Sequence, residues 1–161
     1  MREMIKMVIV ITILSFFSGG VLAYLRNSTQ ERIDNQVLEF VKGPAIRTIF
    51  EGAGNDPIAD RFTIKDGDVE RTVFVGIFDG DPRGIAFETS GKGYGGDVGL
   101  MVGINVKDNK LIGVGVTTHG ETPGMGAKAK SDPSFVAQYE DLALQQPIAV
   151  TQDGGSISAI S

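Results

Sequence analysis

"GKGYGGDVGLMVGI", residues 91–104, is the stretch on which the reading of this fold turns, with glycine at 91, 93, 95, 96, 99 and 103. Two glycine-rich designs fail to fit it. A dinucleotide fingerprint needs G-x-G-x-x-G between a strand and a helix, whereas both flanks here read as strands. A P-loop needs G-K-S/T, and none follows. Glycine inside strand-like sequence marks bulges, bends or places where backbone passes close to something flat or bulky. On the residues alone, turns and bulges outweigh a ligand site.

Working outward, strand signals cover Arg61–Lys65, Arg71–Phe78, Gly84–Ser90, Val98–Val106 and Leu111–Thr118, with "KDGD", "DGDP" and "KDNK" as the turns between them. "DPSFVAQYEDL" from Asp132 reads as a short capped helix, and "PIAV", 147–150, as a last short strand. Upstream, "STQERIDNQVLEFVKGPAIRTIF", residues 28–50, opens with Ser28 and Thr29 as caps and keeps Ile33, Val37, Phe40 and Val41 at helical spacing. Gly43-Pro44 is expected to break or kink this linker helix. The class is α+β: an antiparallel sheet with flanking helices.

The chain begins "MREMIK" and then runs nineteen uncharged residues, Met7–Leu25. At 1.5 Å per residue that is roughly 28 Å, close to the hydrocarbon thickness of a bilayer. A retained transmembrane helix is favoured over a signal peptide cleaved after Ala23, because the apolar run is long for a signal. Thr12, Ser15 and Gly19 share one helix face, a small stripe suited to packing on another membrane helix. The expected layout is a cytoplasmic N-terminus at 1–6, a transmembrane helix at 7–25, a linker at 26–52 and a domain at 53–161.

Composition removes whole classes of function. A net charge of −5 without a basic patch argues against nucleic acid. Cysteine is absent and there is one histidine. Disulfides, thiolate zinc sites, cysteine-held iron–sulfur clusters, attached c-type haem and a multi-histidine metal site are excluded within the chain. A redox role then requires an organic cofactor or ligands from a partner.

"THGETPGMGAKAK", residues 118–130, is the most pointed loop. Backbone N–H groups near Gly124 and Gly126 are placed to bind a phosphate or the polar edge of a heterocycle. Met125 suits the face of an aromatic ring, and Lys128 suits an anion. The plainer alternative is a strand-to-helix loop in which His119 and Glu121 satisfy local hydrogen bonds. The last stretch, "DGGSISAIS" at 153–161, reads as a turn leading into another element.

In this order, the N-terminal helix, "GKGYGGDVGLMVGI", "HGETPGMGAK" and "DGGSISAIS" resemble the FMN-binding subunit family of the Rnf and Na⁺-translocating NADH:quinone reductase complexes. The match is nearer to RnfG than to its relative NqrC. The resemblance implies a membrane-anchored electron-transfer subunit that relays electrons between ferredoxin and NAD branches, coupled to Na⁺ or H⁺ transport. It implies FMN held by a phosphoester to the threonine of an S/T-G-A-T motif, attached by a flavin transferase. Ser161 matches the first residue of that motif, so the threonine is expected just beyond it. Gly93, Tyr94 and Gly96 would shape one wall of the flavin site. His119, Glu121, Thr122, Pro123, Gly124, Met125, Gly126 and Lys128 would contact the cofactor, and Ser158 and Ser161 would bind phosphate oxygens. Partners would be the other membrane subunits, including a second covalent-FMN subunit, and lipid. The location would be the cytoplasmic membrane, single pass, with the domain on the extracytoplasmic side. Two departures stand out: Gly95-Gly96 where many members carry an aromatic residue, and Met125 where leucine is usual.

Two other readings remain open. One is an anchored scaffold that keeps the fold without flavin. The other is a small hydrolase using His119 and Glu121, which lacks an evident nucleophile.

Overall fold

The computed structural model describes every residue except Asp68, Gly124, Met125 and Ser161, and describes Asp66 through its backbone alone. The chain divides into two compact units, Met1–Val37 and Leu38–Ser161.

The first unit is helix α1, Arg2–Gln36. Its helical run is the one among the described residues long and apolar enough to cross a membrane. The Thr12 hydroxyl within it is satisfied internally, its Oγ1 donating to the Val8 carbonyl at 2.8 Å, which spares an unpaired polar group in hydrocarbon. Ser28 and Thr29, expected to cap a new helix, do not. Both donate back to the Leu25 carbonyl, at 3.0 and 2.8 Å, so the helix runs straight through them.

The second unit opens within a π-helical turn, Val37–Lys42, followed by α2, Gly43–Ile49. Gly43-Pro44 was expected to break or kink the helix, with a second helical piece following to Phe50. Regular α-helix does stop at Gln36 and resumes as α2, with Pro44 in its first turn, where its missing N–H costs little. The wider turn just before it relieves the clash that a proline ring makes with a regular preceding turn.

Five strands then form one antiparallel sheet in the order β1-β2-β3-β4-β5. They are β1 Arg61–Asp66, β2 Val69–Phe78, β3 Asp81–Lys92, β4 Asp97–Asn105 and β5 Lys110–His119. Consecutive hairpins follow from the turn sequences. Asp79 and Asn109 take positive φ, a conformation that Asp and Asn tolerate best after glycine.

One sheet face carries a run of glycines among its core side chains, and α2 lies on it. Register pairs Phe74 with Ala86, Gly76 with Gly84, Ala86 with Gly103, Gly103 with Gly113 and Met101 with Gly115. A Cβ at Gly76 or Gly84 would come 2.5 or 2.7 Å from the Phe50 ring, and one at Gly115 would come 2.7 Å from Ala45. Gly103 faces Ile49 in the same way. These glycines let a helix approach the sheet. The core gathers there: Ile46, Ile49, Phe50, Ile58, Phe74, Ala86 and Met101. Bulges interrupt the ladder beside Gly76, Gly99 and Gly103, as glycine within strands implied.

After β5 come α3, Lys128–Ser131, and α4, Pro133–Ala137. Asp132 caps α4, its carboxylate accepting from the Ser134 amide at 2.9 Å and the Ser134 hydroxyl at 2.7 Å. The helix expected to run to Leu142 stops at Ala137. The competing interaction is with β5: Leu111 donates to the Leu142 carbonyl at 2.8 Å, and Asp141 donates to the Leu111 carbonyl at 3.0 Å. "PIAV" forms no strand. Val150 makes one isolated parallel bridge to Ile157.

Candidate functional site

Three segments meet at the end of the sheet where β4 begins and β5 finishes. Val98 of β4 pairs with His119 of β5. The turn before β4 is closed by the Gly93 amide donating to the Gly96 carbonyl at 2.7 Å. The loop after β5 folds against that turn, and the chain returns there at Ser158–Ile160. Tyr94, Val98, Glu121, Thr122, Gly126, Ala129 and Ile160 surround an open, largely apolar cavity of about 530 Å³. That volume lies within the range of small-molecule sites. Tyr94 is fully exposed at its rim.

A second, polar groove of about 220 Å³ adjoins it and shares Ile160. Lys128, Asp132, Ser134, Phe135, Gln138, Ser158 and Ala159 complete it. The Asp132 carboxyl is held below its usual range, first by the Ser134 hydroxyl and then by the Ser134 amide. Its charge is therefore already engaged within its own cap.

Glu121 joins the two glycine loops. Both of its carboxylate oxygens accept from the Gly95 amide, at 3.0 and 3.1 Å. Gly93 and Gly126 lie so close to its side chain that neither has room for a Cβ: at Gly126 one would fall 2.5 Å from Glu121 Cβ. Gly95 faces the Gly120 carbonyl, 2.5 Å from where a Cβ would be. The position at which an aromatic wall was in doubt is thus filled by backbone from residues 120–121.

Of the residues singled out by sequence, Tyr94, Glu121, Thr122 and Gly126 line the cavity, while Lys128 and Ser158 line the groove. Gly93 and Gly96 form the turn beneath Tyr94. Pro123 is exposed within the same loop. His119 closes β5, with Nδ1 sequestered from solvent and without a hydrogen-bond partner among the described residues. The Ser158 amide is already committed to Gln138 Oε1 at 2.7 Å, which leaves its hydroxyl for a ligand. Gly124, Met125 and Ser161 lie outside the described residues. Val98, Ala129 and Ile160 were not singled out from sequence, because isolated apolar residues carry no signal beyond core or loop. Gln138 had a weak one: a polar residue on the inner side of a short helical segment.

The residues present suit a ligand with a flat apolar body and a polar tail. The cavity offers apolar walls for the body, and the groove offers the Ser158 hydroxyl and a lysine for the tail. Such a shape describes FMN, whose tricyclic ring carries a ribityl phosphate.

Comparison with known proteins agrees. Residues 93–161 match the family described as the FMN-binding domain. The chain is 26% identical, over 99% of its length and 85% of the relative's, to the G subunit of the ion-translocating oxidoreductase complex of Methanosarcina acetivorans. The protein of the same name from Vibrio cholerae is 29% identical over 91% of this chain and 75% of its own. That of Cereibacter sphaeroides is 31% identical over 66% of this chain, which spans about half of that relative's length (51%).

Proposed function

We propose that this chain, which belongs to the FMN-binding subunit family of ion-translocating oxidoreductase complexes, carries electrons between ferredoxin-side and NAD-side partners of an Rnf-type complex. It is a membrane-anchored FMN electron-transfer subunit and a redox component of a larger assembly. The observation that carries the reading is the apolar cavity of about 530 Å³ built by the two glycine loops within the FMN-binding segment.

The arrangement asks little acid–base chemistry of the protein. Bound FMN supplies one- and two-electron transfer; the chain binds it, orients it and sets its electrostatic surroundings. Val98, Ala129 and Ile160 exclude water from the ring. Thr122 and Tyr94, both on the open side, leave an edge accessible to a redox partner. The Ser158 hydroxyl and Lys128 hold the phosphate end in the groove.

Covalent attachment through a threonine phosphoester just beyond Ser161 fits the groove's position beside Ile160, and a flavin transferase would supply the linkage. Helix α1 holds the subunit in the membrane among its partner subunits, with the FMN domain on the extracytoplasmic side. There, a tether prevents loss of cofactor by dilution.

The test is a redox assay on the intact membrane complex. Reduced ferredoxin should bleach the visible flavin absorbance of this subunit, and added NAD⁺ should restore it. A subunit whose flavin stays oxidised throughout, while the complex turns over, would remove it from the electron path.

A further inference from the structure

Glu121 does more than border the cavity, and three observations converge on it. Both carboxylate oxygens take the single Gly95 amide, at 3.0 and 3.1 Å. Its side chain occupies the space that Cβ atoms would need at both Gly93 and Gly126. It also faces the cavity, half-buried, beside Thr122 and Tyr94.

We infer that Glu121 is the positioning residue of the flavin site: a charged strut that locks the 93–96 turn to the 120–126 loop and places a fixed negative charge against the bound ring. The inference rests on the FMN reading for its ligand but not for its strut. The Gly95 amide bond spans 26 residues of sequence and ties the two loops together just past the Val98–His119 pair, where the β4–β5 ladder ends. The glycines at 93 and 126 follow from the same cause, since each makes room for this side chain. A carboxylate in a partly desolvated wall disfavours added negative charge nearby. It therefore holds the flavin potential lower than a neutral residue would.

Glutamine and alanine separate the two roles. Gln at 121 retains an oxygen acceptor for the Gly95 amide and loses the charge; Ala loses both. In the full chain in detergent, hydrogen exchange at the Gly95 amide should quicken about tenfold or more in Glu121→Ala, and far less in Glu121→Gln. In the flavin-loaded protein, Glu121→Gln should keep its flavin content and show a more positive midpoint potential. Unchanged Gly95 exchange in Glu121→Ala overturns the strut. An unchanged potential in a fully loaded Glu121→Gln overturns the electrostatic role. Should Glu121→Ala fail to fold, Glu121→Gln against Gly93→Ala decides: the first must keep slow Gly95 exchange and the second must lose it. A wild-type protein without flavin would defeat the FMN reading, while the exchange result would still decide the strut.

Discussion

Gly103 lies directly beneath Ile49, and no side chain fits between them. The same holds along the row: Gly76 and Gly84 under Phe50, and Gly115 under Ala45. Helix α2 is seated on backbone. Replacing Gly103 by alanine should cost about 1–3 kcal/mol by overpacking, seen as a lower midpoint in chemical denaturation. Gly91, which has open space around it, is the control and should stay near wild type.

Gly126 serves the site. A methyl there would push against Glu121. Gly126→Ala should leave the far-ultraviolet circular dichroism spectrum unchanged while raising the mobility of the bound flavin, read as lower fluorescence anisotropy. Equal anisotropy in mutant and wild type would detach residues 120–126 from the cofactor.

A line of polar contacts crosses the sheet from the π-helical turn before α2 to α3. Lys42 Nζ meets Glu88 Oε2 at 2.6 Å. Thr117 Oγ1 donates to Glu88 Oε1 at 2.9 Å. Lys130 Nζ donates to the Thr117 carbonyl at 2.9 Å. Thr117 is fully buried and sits at the bulge opposite Gly99 and Leu100. Thr117→Val should cost about 1–2 kcal/mol, since Glu88 loses a donor in a partly buried place. The Lys42–Glu88 pair, with both side chains about a third exposed, should contribute less than about 1 kcal/mol. A double-mutant cycle on Lys42 and Thr117 measures whether Glu88 couples them.

Asp132 gives the site a pH dependence. Its carboxyl lies below its ordinary value because the Ser134 hydroxyl, then the Ser134 amide, donate to the charged form. A lowered folded-state value means the cap's contribution is fully present above the unfolded value near 3.8 and fades as pH falls through the lower folded value. The Ser134 amide shift should therefore titrate below pH 3.8. Asp132→Asn, which still accepts a hydrogen bond, should abolish that titration. An amide shift that moves at neutral pH would contradict the assignment.

Five strands and their turns were legible in sequence because β-branched runs alternate with Asp/Gly/Asn pairs, and each observed strand lies within three residues of its expectation. The reason for the glycines was not legible. Their spacing reveals a missing side chain, but only the fold reveals that α2 fills the space at 103 and 115, and Glu121 the space at 93 and 126. Helix α1 outran its expected end because Ser28 and Thr29 can bond a preceding turn as readily as cap a new one. Tyr94, Glu121, Thr122 and Gly126 were named from sequence through resemblance, and the fold brings them to one cavity. Val98, Ala129 and Ile160 became visible only once three distant segments were brought together.

The central claim is that this chain carries FMN, tethered beside the groove at Ser158–Ile160. Intact mass of the protein isolated from native membranes, read beside its fluorescence in a denaturing gel, tests it most directly. The predicted result is a fluorescent band and a mass above that of the polypeptide by one FMN less one water. A dark band at the mass of the bare polypeptide would contradict it.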